Sequence, residues 1–557
     1  MRRHGSWRRL GVVVGALLAA GSAGCGGDAE EPEPGVEPEP VVWGECPPFF
    51  QTECATVELP LRYDEPEGAQ IPILVARKLS GDPEATQLWL LAGGPGGSGG
   101  DLHEIVDVMA ANLPGFDIYT LDHRGVGQSA RLGCSAEEET SPGEDYVLAD
   151  EWEGCAAELK DRWGEGLAGF STTNAAQDVG MLIERTREPG QRAMVWGVSY
   201  GTYWALRYLQ LHPEQPAAVV LDSVASPGAQ RLSTFDLQFD PVAKELAAVC
   251  AADAACAARM GDDPWARIDA LYEKIDAGHC SALGIDRRLL RQTLAYLVAG
   301  ATGRSLLMPV VYRLDRCEAA DMEALAHLFE FLFSAGSDDT GFSQSLQNHV
   351  MFSEMWEVPA PSVEALEGRA ASTRASQDLG PYVGPAFDVW PRYAPDALVD
   401  RWPRTEVPLL MLNGTMDPQT PIETARVAGE RLRGPLQTFV TVQRMVHGVL
   451  MMPSADPEAL SCGAAMTFDF LKDPSTVPDT SCAEEVMPIP FELAAAQNQL
   501  VFGTDDTWDN PAPKTAAGSM DAAKQAAPAR IDVEAVARAL SRVRPLSSAR
   551  ALDLRLR

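Results

Sequence analysis

The chain has 557 residues, 46% hydrophobic and 22% charged, the balance of an ordinary globular protein and not of a disordered one. Its formal net charge of −34 repels phosphate and argues against nucleic acid as a partner. Acidity of this size mainly serves solubility, with attraction of cationic peptides as the lesser reading.

Met1 to about Gly24 reads as an export signal. Arg2, Arg3, Arg8 and Arg9 precede an apolar run, Leu10 to Ala20, too short to span a bilayer. It ends in Gly21-Ser22-Ala23-Gly24-Cys25, small residues before a cysteine that resemble a bacterial lipobox, with Ser22 where leucine is usual. Cys25 is the expected lipid-attachment residue, which anchors the protein to a bacterial membrane in the cell envelope; simple cleavage and secretion is the alternative. Residues 25–40 form an acidic, proline-rich tether that cannot bury a core. Eleven cysteines is an odd number, and setting Cys25 aside leaves ten, whose pairing an oxidising compartment favours. Neighbour pairing (46–54, 134–155, 250–256, 280–317, 462–482) is the expectation, although spacing does not fix connectivity. No Cys-x-x-Cys occurs, so no metal site is expected.

From Val41 the composition is globular. Val57–Tyr63 and Gln70–Lys78 read as strands around an Asp64-Glu65-Pro66-Glu67-Gly68 turn. Gln87–Ala92 is an unbroken apolar strand that runs into Gly93-Gly94-Pro95-Gly96-Gly97-Ser98-Gly99-Gly100. Phe116–Leu121 is the next strand, followed by Asp122-His123-Arg124-Gly125-Val126-Gly127-Gln128-Ser129. A helix over Thr173–Arg187 leads to a strand over Arg192–Trp196, then Gly197-Val198-Ser199-Tyr200-Gly201, then a helix over Thr202–His212 and a strand over Ala217–Leu221. This alternation predicts an α/β protein with a mostly parallel sheet and helices on both faces. Residues 228 to about 400 instead read as successive helices (Pro241–Met260, Pro264–Ala277, Arg287–Val298, Asp321–Ser334), a cap over the strand ends. Strands resume at Val407–Leu412 and Thr438–Arg444. The expected parts are thus core 41–227, cap 228–400, core 401–500 and a tail 501–557. Beyond Asn510 the tail carries a weak amphipathic helix over Asp532–Val543 and nine basic against four acidic residues. It reads as loosely ordered, with docking to the acidic body as the alternative.

Gly-x-Ser-x-Gly between a strand and a helix is the pattern of a nucleophile elbow: small residues let the chain turn sharply and lift Ser199 clear of the sheet. A serine hydroxyl needs a base, and the base needs an orienting carboxylate. Asp417 lies in Asn413-Gly414-Thr415-Met416-Asp417, just past a strand end, where a turn-capping aspartate is the plainer reading. Of eight histidines only His447 follows Asp417, again just past a strand. The candidate triad is Ser199, Asp417 and His447. Two backbone N–H groups should face the developing oxyanion. Tyr200 supplies one; Pro95 has no N–H, so Gly94 is the candidate for the other. The glycine run lacks the lysine and Ser/Thr of a phosphate loop.

Together, the motifs at 93–99, 122–129, 197–202 and 413–421 resemble the tripeptidyl aminopeptidase and proline iminopeptidase group of α/β-hydrolases, and residues 405–482 are similar to that group's C-terminal region. The resemblance implies an α/β-hydrolase fold with a large helical cap, a serine peptidase acting on free peptide N-termini, no cofactor, and the five site residues above in the same roles. Ala92 stands where proline iminopeptidases have histidine, which favours the tripeptidyl branch. Asp122 and Arg124 read as braces beside the oxyanion site. Release of N-terminal residues calls for a carboxylate to meet the substrate's ammonium. Glu354, in Phe352-Ser353-Glu354-Met355-Trp356, is that substrate-binding candidate, with an ordinary salt-bridged helix residue as the alternative. Trp356 reads as core packing before pocket wall. A carboxylesterase or lipase with the same triad is the nearest rival, and an inactive surface-binding protein on the same fold the remote one.

Overall fold

A computed structural model describes residues 40–48, 50, 53–138, 140–143, 146–333, 341–452 and 459–510. Cys25, the leader, the tether and the chain beyond Asn510 with its expected helix lie outside the described residues.

Nine strands form one sheet: β1 (Gly44–Glu45), β2 (Glu53–Pro60), β3 (Gln70–Lys78), β4 (Thr86–Leu91), β5 (Phe116–Leu121), β6 (Ala193–Val198), β7 (Ala218–Asp222), β8 (Leu409–Gly414) and β9 (Gln437–Val442). Their order is β1-β2-β3-β5-β4-β6-β7-β8-β9. The pairings from β5 through β9 are all parallel, whereas β1, β2 and β3 join antiparallel at one edge. The central strands are buried from end to end, which is why they read as unbroken apolar runs; Trp89 on β4 stacks on Tyr119 of β5 at 4.6 Å between ring centroids. β2 begins at Glu53, not Val57, because its register with β3 runs from Glu53 opposite Arg77 to Pro60 opposite Gln70. The short edge strand β1 was not anticipated.

The strand order reverses at β4, with β5 on one side and β6 on the other. In open α/β sheets ligands bind outside the carboxyl ends of the strands at such a reversal. The helical insertion runs from the end of β7 to the start of β8. Its expected first helix is two, Phe239–Ala252 and Ala254–Met260, because Asp253 leaves helical geometry and its side chain accepts the Cys256 N–H at 2.8 Å. Helix Gly303–Arg316 was also missed, since Pro309 within it reads as a breaker. The insertion docks on the strand-end loops: Ser343 N–H donates to Gly96 O at 3.0 Å, and Gly127 N–H to Gly341 O at 2.8 Å. All five neighbour disulfides are formed.

Residues 501–510 are not tail: they pack on the cap. Fully buried Arg313 must place its donors, and it gives them to the carbonyls of Asp506, Thr507 and Asp509 and to Asn510 Oδ1, while pairing with Asp321. Trp508 is buried beside Tyr312. Arg313→Met keeps the aliphatic stem and removes every donor. It is expected to lower unfolding free energy by about 3 kcal/mol in denaturant titration and to speed hydrogen exchange at residues 505–510.

Candidate active site

β6 ends at Val198, and helix Tyr200–Leu211 begins two residues later, so Ser199 alone makes the corner, with φ 59° and ψ −127°. Such a backbone costs about 1–3 kcal/mol and persists only where its surroundings hold it. Here Ser199 N–H donates to Asp222 O at 3.0 Å, and Ser199 O accepts from both Thr202 N (2.9 Å) and Thr202 Oγ1 (2.6 Å). The glycines are steric necessities. A Cβ at Gly201 would lie 2.2 Å from Leu91 O, and one at Gly197 would lie 2.4 Å from Gly201 O.

The glycine loop after β4 lies directly against the serine: a Cβ on Gly93 would fall 2.9 Å from Ser199 Cβ and 3.4 Å from its Oγ. Gly94 has φ +120°, open to glycine alone in practice. Among the described residues the N–H groups of Gly94 and Tyr200 donate no hydrogen bond. Asp122 braces this loop as expected: its Oδ1 accepts from Ser98 Oγ (2.6 Å) and Gly99 N (2.9 Å), its Oδ2 from Gln128 N (2.7 Å). Burial pushes its carboxyl up to about 6. Arg124, also buried, pairs with Asp178 at 2.5 Å and donates to the Leu61 and Gly169 carbonyls.

Asp417 and His447 meet beyond β8 and β9. His447 Nδ1 lies 2.9 Å from Asp417 Oδ2 and 3.1 Å from Oδ1. Asp417 also accepts from Gln419 N (2.8 Å), Thr420 N (3.0 Å) and Thr420 Oγ1 (2.7 Å). Burial alone raises a carboxyl, but His447 and these donors outweigh it and hold Asp417 below the usual carboxylate range. With the carboxylate at Nδ1, the neutral ring carries its proton there and turns a lone pair out at Nε2, the form a general base requires. Nε2 is buried and has no hydrogen-bond partner among the described residues. The Ser199–His447 bond is thus not made in this structure; catalytic hydrogen bonds of resting enzymes commonly tighten only with substrate bound.

One anchor was overlooked in the sequence. Asp222, at the end of β7, takes Ser199 N–H on its carbonyl and the N–H groups of Val449 and Leu450 on its carboxylate, both at 2.8 Å. Ser223, at φ 60°, accepts Gly448 N–H at 2.8 Å. A buried acid at a parallel strand's carboxyl end was the available signal.

Glu354 is placed differently from the substrate-binding expectation. Its Oε1 accepts from Thr172 N (3.2 Å) and Tyr393 OH (2.5 Å), its Oε2 from Tyr203 OH (3.0 Å) and Arg207 Nη2 (2.9 Å). A carboxylate has about four accepting positions. Protein donors fill them, so Glu354 is the salt-bridged residue of the alternative reading and no free acceptor for an ammonium. Trp356 packs in the cap against Phe352 and Phe387.

The description "alpha/beta hydrolase fold" matches residues 88–254, and "TAP-like protein" matches residues 382–482. The chain has the α/β-hydrolase fold. The chain is similar to the tripeptidyl aminopeptidase of Streptomyces lividans, 30% identical over an aligned length of 256, covering 41% of the chain and 44% of that relative. It thus spans less than half of that relative's length. It is also similar to carboxylesterase B of Mycobacterium tuberculosis, 26% identical over 507 residues (78% of the chain, 92% of the relative). Serine protease Hip1 of the same organism is 26% identical over 302 residues (48% and 56%).

The elbow's steric limit is testable without a substrate. Gly201→Ala is expected to destabilise the protein by about 2–3 kcal/mol in thermal or denaturant unfolding, since the Leu91 backbone cannot give way. Gly154→Ala, where a Cβ would meet nothing within 4 Å in helix Trp152–Trp163, is expected to be neutral or stabilising by up to about 1 kcal/mol.

Proposed function

We propose that this protein is an exported serine hydrolase that releases short peptides or single residues from the free N-termini of peptides. Ser199 attacks the scissile carbonyl, and His447 takes the hydroxyl proton and returns it to the leaving amine. Asp417 holds the imidazole, and the Gly94 and Tyr200 amides receive the oxyanion. Water then hydrolyses the ester with His447 as base. One observation carries the reading: a serine in a strained strand-to-helix corner lies against the glycine loop, and a hydrogen-bonded chain through Asp222 and Ser223 joins it to the loop of an aspartate-paired histidine.

The TAP-like region and the Streptomyces relative favour peptides. The longer match to carboxylesterase B favours a second reading, ester hydrolysis by the same triad. Peptide amides, with free or acetylated N-termini, assayed beside short acyl esters separate the two. Turnover confined to free amines is the expected result; indifference to acetylation with esters preferred assigns the esterase reading instead. Ser199→Ala is expected to lower whichever activity is found by about 10⁴-fold or more and to abolish labelling by a fluorophosphonate; labelling that persists removes Ser199 as nucleophile.

The proposed membrane partner is a bilayer entered by the lipid on Cys25, in keeping with an oxidising compartment for the disulfides. Cys25→Ser is expected to move the protein from the membrane pellet to the soluble fraction of an expressing bacterium; an unchanged distribution would remove the anchor from the account.

A further inference from the structure

The turn after β5 contributes more than its two charged braces. Between them His123 is buried, with its ring edge-on to Trp204 at 4.6 Å between centroids. Its Nδ1 lies 2.6 Å from Arg124 O, and its Nε2 lies 3.2 Å from Tyr200 OH. A carbonyl oxygen only accepts, so Nδ1 bears the proton. Burial holds the imidazolium off by pushing the ring down to about 3, so Nε2 keeps its lone pair. The Tyr200 hydroxyl therefore donates to Nε2 and accepts from Thr172 Oγ1, 3.0 Å away. Thr172 N–H in turn donates to Glu354 Oε1 at 3.2 Å, and Glu354 grips Tyr203 and Arg207 further along the same helix as Tyr200.

Tyr200 is thus held from both ends. Its main chain is the first turn of the nucleophile's helix, and its phenol is locked in a hydrogen-bonded chain with its acceptor fixed by the β5 turn. Asp122, one residue earlier, grips the glycine loop that carries Gly94. We infer that His123 is a positioning residue for the oxyanion site, fixing the Tyr200 amide through the phenol while Asp122 fixes the loop of the opposing amide. This rests on the serine-hydrolase reading above.

The test uses the full-length protein with p-nitrophenyl acetate as substrate and a fluorophosphonate as probe of Ser199. Tyr200→Phe removes one oxygen and keeps the backbone amide. It is expected to lower kcat about tenfold with KM within about twofold, because the loss falls on the transition state alone. His123→Leu is expected to do the same and His123→Gln, which can still accept from the phenol, to recover most of the rate. The double variant His123→Leu/Tyr200→Phe should be no worse than either single one, since both cut the same link. If His123→Leu does not fold, as judged by circular dichroism, Tyr200→Phe decides alone. Wild-type protein that is labelled at Ser199, beside a Tyr200→Phe kcat equal to wild type, overturns the inference. Wild-type protein that is not labelled at Ser199 fails the hydrolase reading itself.

Discussion

Main chain touches main chain where β4, β6 and the helix after Ser199 meet, and no side chain fits between them. The Leu91 carbonyl lies where a Cβ of residue 201 would be, and the Gly201 carbonyl lies where a Cβ of residue 197 would be. This approach forces the strand-to-helix change into one residue, which throws Ser199 into a positive φ and brings the glycine loop against it. The strain is local, and three backbone-directed hydrogen bonds on Ser199 hold it. Cap, anchors and the paired Asp417 and His447 are arranged around that corner.

The second requirement is that the His447 loop come back after an insertion that separates β7 from β8 by nearly two hundred residues in sequence. The parallel sheet does this coarsely, since β8 and β9 add in order beside β7 and their carboxyl ends share one edge. Asp222 and Ser223 do it finely, tying the loop of His447 to the strand that also holds Ser199. The insertion is then free to be long, because loop-closure cost grows only slowly with length. It is fixed to the core by Glu354 on Arg207 and to the C-terminal segment by Arg313, buried pairings that cost dearly if half is removed.

What could be read from the sequence divides along the same lines. β3 and β5 fall where the apolar pattern put them; Ser199, Asp417 and His447 were chosen because each follows a strand end, and the structure brings the last two together. The five neighbour disulfides match the expected pairing, which the spacing by itself left open. The losses are non-local. Glu354 looks like a free acid in its own helix, and only the fold brings Tyr203, Arg207, Thr172 and Tyr393 to it. Residues 501–510 carry no strong period, and their order comes from a cap arginine almost two hundred positions away. Asp222 and His123 read as strand-end polar residues until their partners are known.

In the proposed mechanism Ser199, the two amides and His447 act on one carbonyl carbon. A crystal structure of the protein reacted with a fluorophosphonate tests it most directly. The expected adduct has a phosphorus–oxygen bond at Ser199, one phosphoryl oxygen about 3 Å from both the Gly94 and Tyr200 nitrogens, and His447 Nε2 within about 3 Å of an oxygen on the adduct. An adduct on another residue, or one at Ser199 whose oxygen faces away from both amides with His447 Nε2 still unpartnered, would contradict it.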